Sequence, residues 1–298
     1  MLEIYAIGVW MIKIYRLKFK SRYLDGEILV KIGNRNFDTL NRTYVFGILN
    51  CTPDSFSDGG KWNRLDLALK HVEEMVSEGV DVIDVGGEST RPGYTVISDD
   101  EEIERVALTI QKIKQNFDVP VSLDTYKVKV AEAGIQIGVD LINDIWGLKK
   151  EEGMAQLIAE SKVACCLMHN RDKAEYFNFI DDVYNDLKET LKIANKNGIE
   201  KDRICIDPGV GFGKTYEQNL AVINKLELLN KLKYPVLLGT SRKSVIGLTL
   251  NLPVDERLEG TLATTAMAVM KGVAFVRVHD VKENVRVIRM IEAIKNAI

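Results

Sequence analysis

Cysteine is scarce in this chain. Only Cys51, Cys165, Cys166 and Cys205 occur among 298 residues. They form no CxxC pair and have no histidine at zinc-like spacing, which argues against a disulfide framework and a structural zinc site and fits the reducing cytoplasm. An excess of one charge is missing too: 40 Lys and Arg stand against 43 Asp and Glu, with no basic block for nucleic acid and no acidic tail. With six prolines in all, no low-complexity segment or interdomain linker interrupts the chain. A long hydrophobic run is also absent. The first 25 residues start apolar, but Lys13, Arg16, Lys18 and Lys20 interrupt them, well short of the roughly 18 residues a membrane span needs. The positive charges follow the apolar part and no small-residue cleavage site appears, so a signal peptide does not fit either. Residues 1–27 are expected to be a short N-terminal extension, an extra strand or a loose segment, with Met11 as an alternative start. What remains is small-molecule chemistry, away from nucleic acid and membrane.

What the chain does have is one figure, repeated. The stretch YVFGILN (44–50) is an apolar strand that ends on a polar residue, Asn50, and breaks into the loop CTPDSFSDGG. An amphipathic helix follows near 64–78, with Leu65, Leu69, Val72 and Val76 on one face, Asn63 as N-cap and Gly79 at its end. The figure recurs: VDVIDV (80–85), VPVSL ending in Asp124, VDLI ending in Asn143 and Asp144, KVACCLM ending in Met168 and His169. RICI ending in Asp207, PVLLG ending in Thr240 and Ser241, and AFVRV ending in His279 complete it. Ser98 and Glu101 read as a capping box ahead of Ile103, Val106, Ile110 and Ile113, and the helical stretch before the last strand breaks at Pro253. Eight such units in about 250 residues predict a closed (β/α)8 TIM barrel over 28–298 and not an open doubly wound sheet. Residues 28–38, ILVKIGNRNFD, alternate around an Asn/Gly turn and predict a β-hairpin that plugs the barrel bottom.

Barrels of this kind place their chemistry where strands stop. Asp124, Asn143, Asp207 and Lys243 lie at or just past strand ends. Singly, each Asp is as readily a helix N-cap. Together, two acids, an amide and an ammonium suit a flat heterocycle with an amidine-like edge, because carboxylates accept from ring N–H and NH2 groups while Lys donates to a carbonyl. The stretch DPGVGFGKT (207–215) imitates two phosphate loops and matches neither. Gly209 to Gly213 leaves three residues where a Walker A loop has four, and the G-x-G-x-G spacing falls one short of the dinucleotide fingerprint. Its glycines are expected to let backbone approach a planar ligand. Of the three histidines, His71 reads as surface and His169 as a structural residue or a site residue. His279, two residues from Arg277, is the better phosphate ligand. Cys165 and Cys166, inside an apolar strand, read as core.

In order along the chain, GILNCTPDSFSDGG (47–60), DVGGESTRPG (84–93), SLDT (122–125), INDIWG (142–147), CIDPGVGFGK (205–214), GTSRKS (239–244) and RVHD (277–280) resemble dihydropteroate synthases. The resemblance runs from about residue 28 to the C-terminus. It departs from the family only at Cys51, Val210 and Asn170–Arg171, and it leaves residues 1–25 without a counterpart. It implies a cytoplasmic homodimer that joins 6-hydroxymethyl-7,8-dihydropterin diphosphate to p-aminobenzoate with Mg²⁺. The implied pterin pocket falls on Thr90, Asp124, Asn143, Met168, Asp207, Lys243 and Arg277. Diphosphate falls on Asn50, Thr90, Arg91, Arg277 and His279, with Asn50 also on the metal; the aminobenzoate falls on Phe56, Pro92, Phe212, Lys243 and Ser244. Asn50, Asp124, Asp207, Lys243, Arg277 and His279 carry the implied catalytic roles. A pterin-binding methyltransferase barrel would share the acids and the amide but needs no diphosphate clamp, and a non-catalytic binding module would centre on the glycines. Loops 51–63 and 88–97, rich in Ser, Asp, Gly and Pro, are expected to close only after the pterin diphosphate arrives, which makes binding ordered.

Overall fold

Chain reversal at Gly33, whose φ is +59°, forms the hairpin that opens the computed structural model. The model describes residues 29–52, 61–88 and 95–297. Residues 1–27 and the candidate residues Phe56, Thr90, Arg91 and Pro92 lie outside the described residues. Strand β1 (Leu29–Ile32) pairs antiparallel with β2 (Arg35–Asp38). Eight parallel strands follow: β3 (Tyr44–Asn50), β4 (Val82–Gly86), β5 (Val121–Asp124), β6 (Leu141–Asp144), β7 (Ala164–Met168), β8 (Ile204–Asp207), β9 (Leu237–Gly239) and β10 (Phe275–Val278). Their order, β8-β7-β6-β5-β4-β3-β10-β9, is joined end to end by a parallel bridge between Ile206 and Val236, so the sheet closes as expected.

The helices between them are α1 (Lys61–Glu78), α2 (Asp99–Asn116), α3 (Val128–Ile137), α4 (Met154–Ser161), α5 (Phe179–Lys196) and α6 (Tyr216–Asn224). Next, α7 (Ser244–Leu250) and α8 (Leu258–Met270) flank the expected break at Pro253, and α9 (Val281–Asn296) ends the barrel. Helix α1 starts before Asn63, which is therefore not its cap. It buries Leu65, Ala68, Val72 and Met75, leaving Val76 exposed. Gly79, at φ +96°, does end it. Ser98 caps α2 by accepting from the Glu101 N–H at 3.2 Å, while the Glu101 carboxylate takes Arg105 at 2.6 Å. The capping box predicted there is thus half made, and a complete one occurs at Thr215 and Gln218 ahead of α6.

Period-two alternation splits the strand residues into two layers. Outward residues such as Val45, Ile83, Leu123, Cys165 and Ile206 pack under the helices in one large cluster. Inward residues at the strand starts, Phe46, Val82, Leu141, Cys166, Cys205, Leu237 and Phe275, form a second. The hairpin's Val30, Ile32 and Phe37 join this second cluster, so the plug lies where expected. Neighbours in sequence, Cys165 and Cys166 are buried in different layers, and all four cysteines are free thiols. Further along each strand the inward positions turn polar.

Candidate active site

Asp84, Ser122, Asp124, Asn143, Asp207 and Arg277 occupy inward positions in the upper half of the barrel, and all but Arg277 are buried. Arg277 links two of the acids: its Nε donates to Asp84 Oδ2 at 2.5 Å and its Nη2 to Asp124 Oδ2 at 2.7 Å. The Ser122 hydroxyl donates to the other Asp84 oxygen at 2.5 Å, so Asp84 is paired on both sides. Asp124 is not. Its Oδ1 is buried and has no hydrogen-bond partner among the described residues, a costly state unless a ligand supplies the donor.

Asp207 and Lys243 stand beside this pair. A methyl group placed on Gly239, at the end of β9, would lie 3.8 Å from Asp207 Oδ2, 3.9 Å from Arg277 Cβ and 4.0 Å from Lys243 Nζ. Glycine keeps that space open. Asp207 Oδ1 accepts from the Gly209 N–H at 2.6 Å, and neither Asp124 nor Asp207 caps a helix. Lys243 Nζ donates to the Val210 carbonyl and lies 4.6 Å from the centre of the Phe212 ring. Burial sets the proton affinities. It raises Asp124 to about 7 against the pull of Arg277, with Asp84 adding to the rise. It also raises Asp207 against Lys243, and lowers Lys243 to about 8. Burial alone lowers Arg277, but the two carboxylates outweigh it and hold this guanidinium above its usual value.

Around this polar floor Met168, Tyr126 and Ile145 form a small buried apolar cluster, with Trp146 and Phe212 packed on it. Asn50 ends β3 half-buried, and Ser244 opens α7, exposed. His279 faces Ser241, with Nδ1 2.9 Å from the Ser241 hydroxyl. The barrel therefore brings together Asn50, Asp124, Asn143, Met168, Asp207, Phe212, Lys243, Ser244, Arg277 and His279 at the C-terminal ends of its strands. His71 is half-exposed on α1. Asp144 faces elsewhere: its oxygens accept the Trp146 and Leu148 N–H groups at 2.8 and 2.7 Å, fixing the turn after β6.

The glycines of 207–215 do something different from what the sequence suggests. At φ +70° and +52°, Gly209 and Gly213 press against protein backbone, where a Cβ would meet the His169 carbonyl at 1.9 Å and the Arg171 carbonyl at 2.3 Å. They let two loops pack, and only Gly211 faces the site, against the Lys243 side chain. Sequence reading also passed over Asp84 and Ser122, although an acid in the middle of VIDVG is itself a signal. Lys127 was missed as well. Buried on α3's N-cap, it contacts Glu88 at 2.8 Å, Glu102 at 2.7 Å and the Ile97 carbonyl at 2.8 Å. The Ile97 N–H returns to Glu88 at 2.9 Å, which ties Glu88, two residues past β4, to the chain that enters α2. A cavity of about 290 Å³ opens at the other end of the barrel beside Arg42, Asp81, Arg289 and Glu292. Its two acids already hold the Val45 and Thr43 N–H groups, so it reads as structural.

A closed parallel barrel with paired acids, an amide and a lysine at its mouth defines an enzyme that binds a flat, nitrogen-rich ring. Comparison with known proteins narrows this. A family model described as pterin binding enzyme matches residues 46–279. The dihydropteroate synthase of Clostridium beijerinckii is 59% identical over 266 residues, covering 89% of this chain and 99% of the relative. Among solved structures, the Clostridium difficile dihydropteroate synthase, determined in the presence of pteroic acid, has a TM-score of 0.85 at 49% identity, covering 88% of this chain and 100% of that one. The Xanthomonas albilineans dihydropteroate synthase with 4-aminobenzoic acid has a TM-score of 0.87 at 36% identity, covering 92% and 100%. The chain belongs to the pterin binding enzyme family and, within it, to the dihydropteroate synthases, which are transferases.

Proposed function

We infer that this chain condenses 6-hydroxymethyl-7,8-dihydropterin diphosphate with p-aminobenzoate, giving 7,8-dihydropteroate and diphosphate for folate synthesis. The observation that carries the chemistry is Asp124 Oδ1, without a hydrogen-bond partner among the described residues and buried beside Asn143, Asp207 and Lys243. These groups complement the pterin's ring N–H, amino group and carbonyl, and Met168 and Arg277 cover the ring faces. In the reaction the bond from the exocyclic methylene to the diphosphate oxygen breaks, and its electron pair leaves with diphosphate. The arylamine nitrogen then bonds to the methylene and gives up a proton. The arylamine is uncharged at neutral pH, so no strong base is needed, and Asp124 and Asp207 act by orienting the ring and stabilising positive charge spread over it.

Arg277 commits its Nε and one Nη2 hydrogen to the acids, leaving further N–H groups for the departing phosphate oxygens. The Ser241 oxygen accepts from the His279 backbone N–H at 3.1 Å. Ser241 Oγ and His279 Nδ1 are 2.9 Å apart; where the hydroxyl is the donor, Nε2 carries the ring proton and can donate to a phosphate oxygen. Thr90 and Arg91 would complete the clamp, while Phe56, Pro92, Phe212, Lys243 and Ser244 would border the aminobenzoate.

Magnesium fits the donors present. The Asn50 amide makes no hydrogen bond to another described residue, and no cluster of three His, Cys, Asp or Glu able to hold an ion occurs among the described residues. An ion held by one amide oxygen and completed by substrate oxygens and water is the habit of Mg²⁺ and not of zinc. When bound, it neutralises charge on the diphosphate. Exposed Leu248, Leu250, Met267 and Met270 on α7 and α8 support a homodimer through that face, and the four free thiols support a reducing cytoplasm. Incubation with both substrates and Mg²⁺ should yield dihydropteroate by mass spectrometry. An enzyme that accepts neither substrate would overturn the reading.

A further inference from the structure

His169, buried, and Lys214, half-buried, are ionisable groups that the proposed reaction leaves idle. The His169 side chain is 0% exposed. Its Nε2 lies 3.1 Å from Asp186 Oδ2 on α5, and its Nδ1 lies 2.8 Å from Lys214 Nζ. Asp186 is ionised and can only accept, so Nε2 must carry the ring proton; the ring is neutral, so Nδ1 accepts and Lys214 donates to it. Arg171 also binds Asp186, at 2.7 Å, and keeps it charged.

Lys214 then gathers the loop that follows β8. Its remaining protons go to the Gly209 and Phe212 carbonyls, both at 2.9 Å. Tyr176, stacked on His169, donates to the Gly213 carbonyl at 2.7 Å. The same loop offers the Val210 carbonyl and the Phe212 ring to Lys243. We propose that Asp186, His169 and Lys214 form a positioning relay that holds the 209–214 loop so that Phe212 and Lys243 are set as one wall of the second-substrate slot. Lys214 is the positioning residue, and His169 and Asp186 fix the direction of its hydrogen bonds. Burial lowers Lys214 to about 7, and the charged groups facing it are Asp207, Lys243, Asp186 and Arg171. Burial holds the His169 ring neutral, down to about 4. Two segments with no contact in sequence, HNR (169–171) and GFGK (211–214), thus have one shared purpose.

The proposal rests on the reading of Phe212 and Lys243 as the aminobenzoate wall, and the test separates the two. Lys214→Met is compared with the natural chain in turnover with Mg²⁺ and saturating pterin diphosphate, and in calorimetry with the bare pterin alcohol. The expected result is a KM for p-aminobenzoate raised about tenfold or more, with kcat and pterin affinity changed less than about threefold. An unchanged KM, or equal loss for both ligands, overturns the relay. A natural chain that turns over no p-aminobenzoate overturns the functional reading instead. Should Lys214→Met fail to fold, ¹⁵N NMR of the imidazoles in the natural chain decides. A neutral His169 with its proton on Nε2 at neutral pH supports the relay, and an imidazolium or an Nδ1–H ring overturns it.

Discussion

Asp84 and Asp124 share one guanidinium and are left in opposite states. Asp84 is satisfied by Arg277 and Ser122 and serves as a fixed counter-ion, whereas Asp124 keeps one oxygen idle and is raised to about 7 by burial. A carboxylate must be charged to accept two ligand donors, so pterin affinity should rise as pH climbs through about 7. Lys243, lowered to about 8, must keep its proton to donate to the pterin carbonyl, so affinity should fall again above that. The profile should therefore be a narrow bell between these limits, with binding at the acid side releasing a proton. Calorimetry in buffers of different ionisation enthalpy measures this directly; a flat profile from pH 6 to 9 would mean that neither group faces the ligand. Asp207→Asn tests the pocket from the other side. An NH2 in place of one acceptor oxygen faces the ligand's own donors, and the loss should reach about 10⁴-fold in affinity. Near-normal binding would remove Asp207 from the pocket.

The strands were legible because burial on both faces leaves near-continuous apolar runs, and the polar residue ending each run marked the mouth. Two kinds of feature stayed hidden. Asp84 lies inside a run and not at its end, so its role needs the inward parity of β4 against β5 and β10, which no local pattern supplies. The glycines at 209 and 213 face the loop after β7, forty residues away in sequence, so their partner was invisible from spacing alone. Helix caps divide the same way: Ser98 was readable, but the Glu101 carboxylate is drawn off by Arg105. The complete box at Thr215 gives a clean element-scale test. Thr215→Ala should destabilise the protein by about 1 kcal/mol in urea unfolding, through the lost Gln218 N–H bond. Gly209→Ala should do more, since its methyl would overlap the His169 carbonyl at positive φ. A Gly209→Ala chain as stable in urea as the natural one would contradict the loop-on-loop account.

At the scale of the molecule, a closed barrel plugged below by its hairpin leaves one polar face, and both substrates must meet there. The floor made by Asp124, Asn143 and Asp207 on strand ends, with Lys243 at the N-cap of α7, stands ready in the free protein. The proposed second slot would take Phe212 and Lys243 as one wall, with Phe56 and Pro92, outside the described residues, expected to complete it. If Arg91 settles on diphosphate, the first ligand completes the site for the second. A sulfonamide mimicking the benzoate should then bind measurably only with diphosphate or the pterin diphosphate present, and equal affinity with and without them would remove the ordering. The central claim is narrower and can be met head-on by following diphosphate release from the pterin diphosphate in the presence of Mg²⁺. Release should depend on added p-aminobenzoate, match dihydropteroate formed one for one, and stop on chelation with EDTA. Release at the same rate without p-aminobenzoate, or undiminished after exhaustive chelation, would contradict the account.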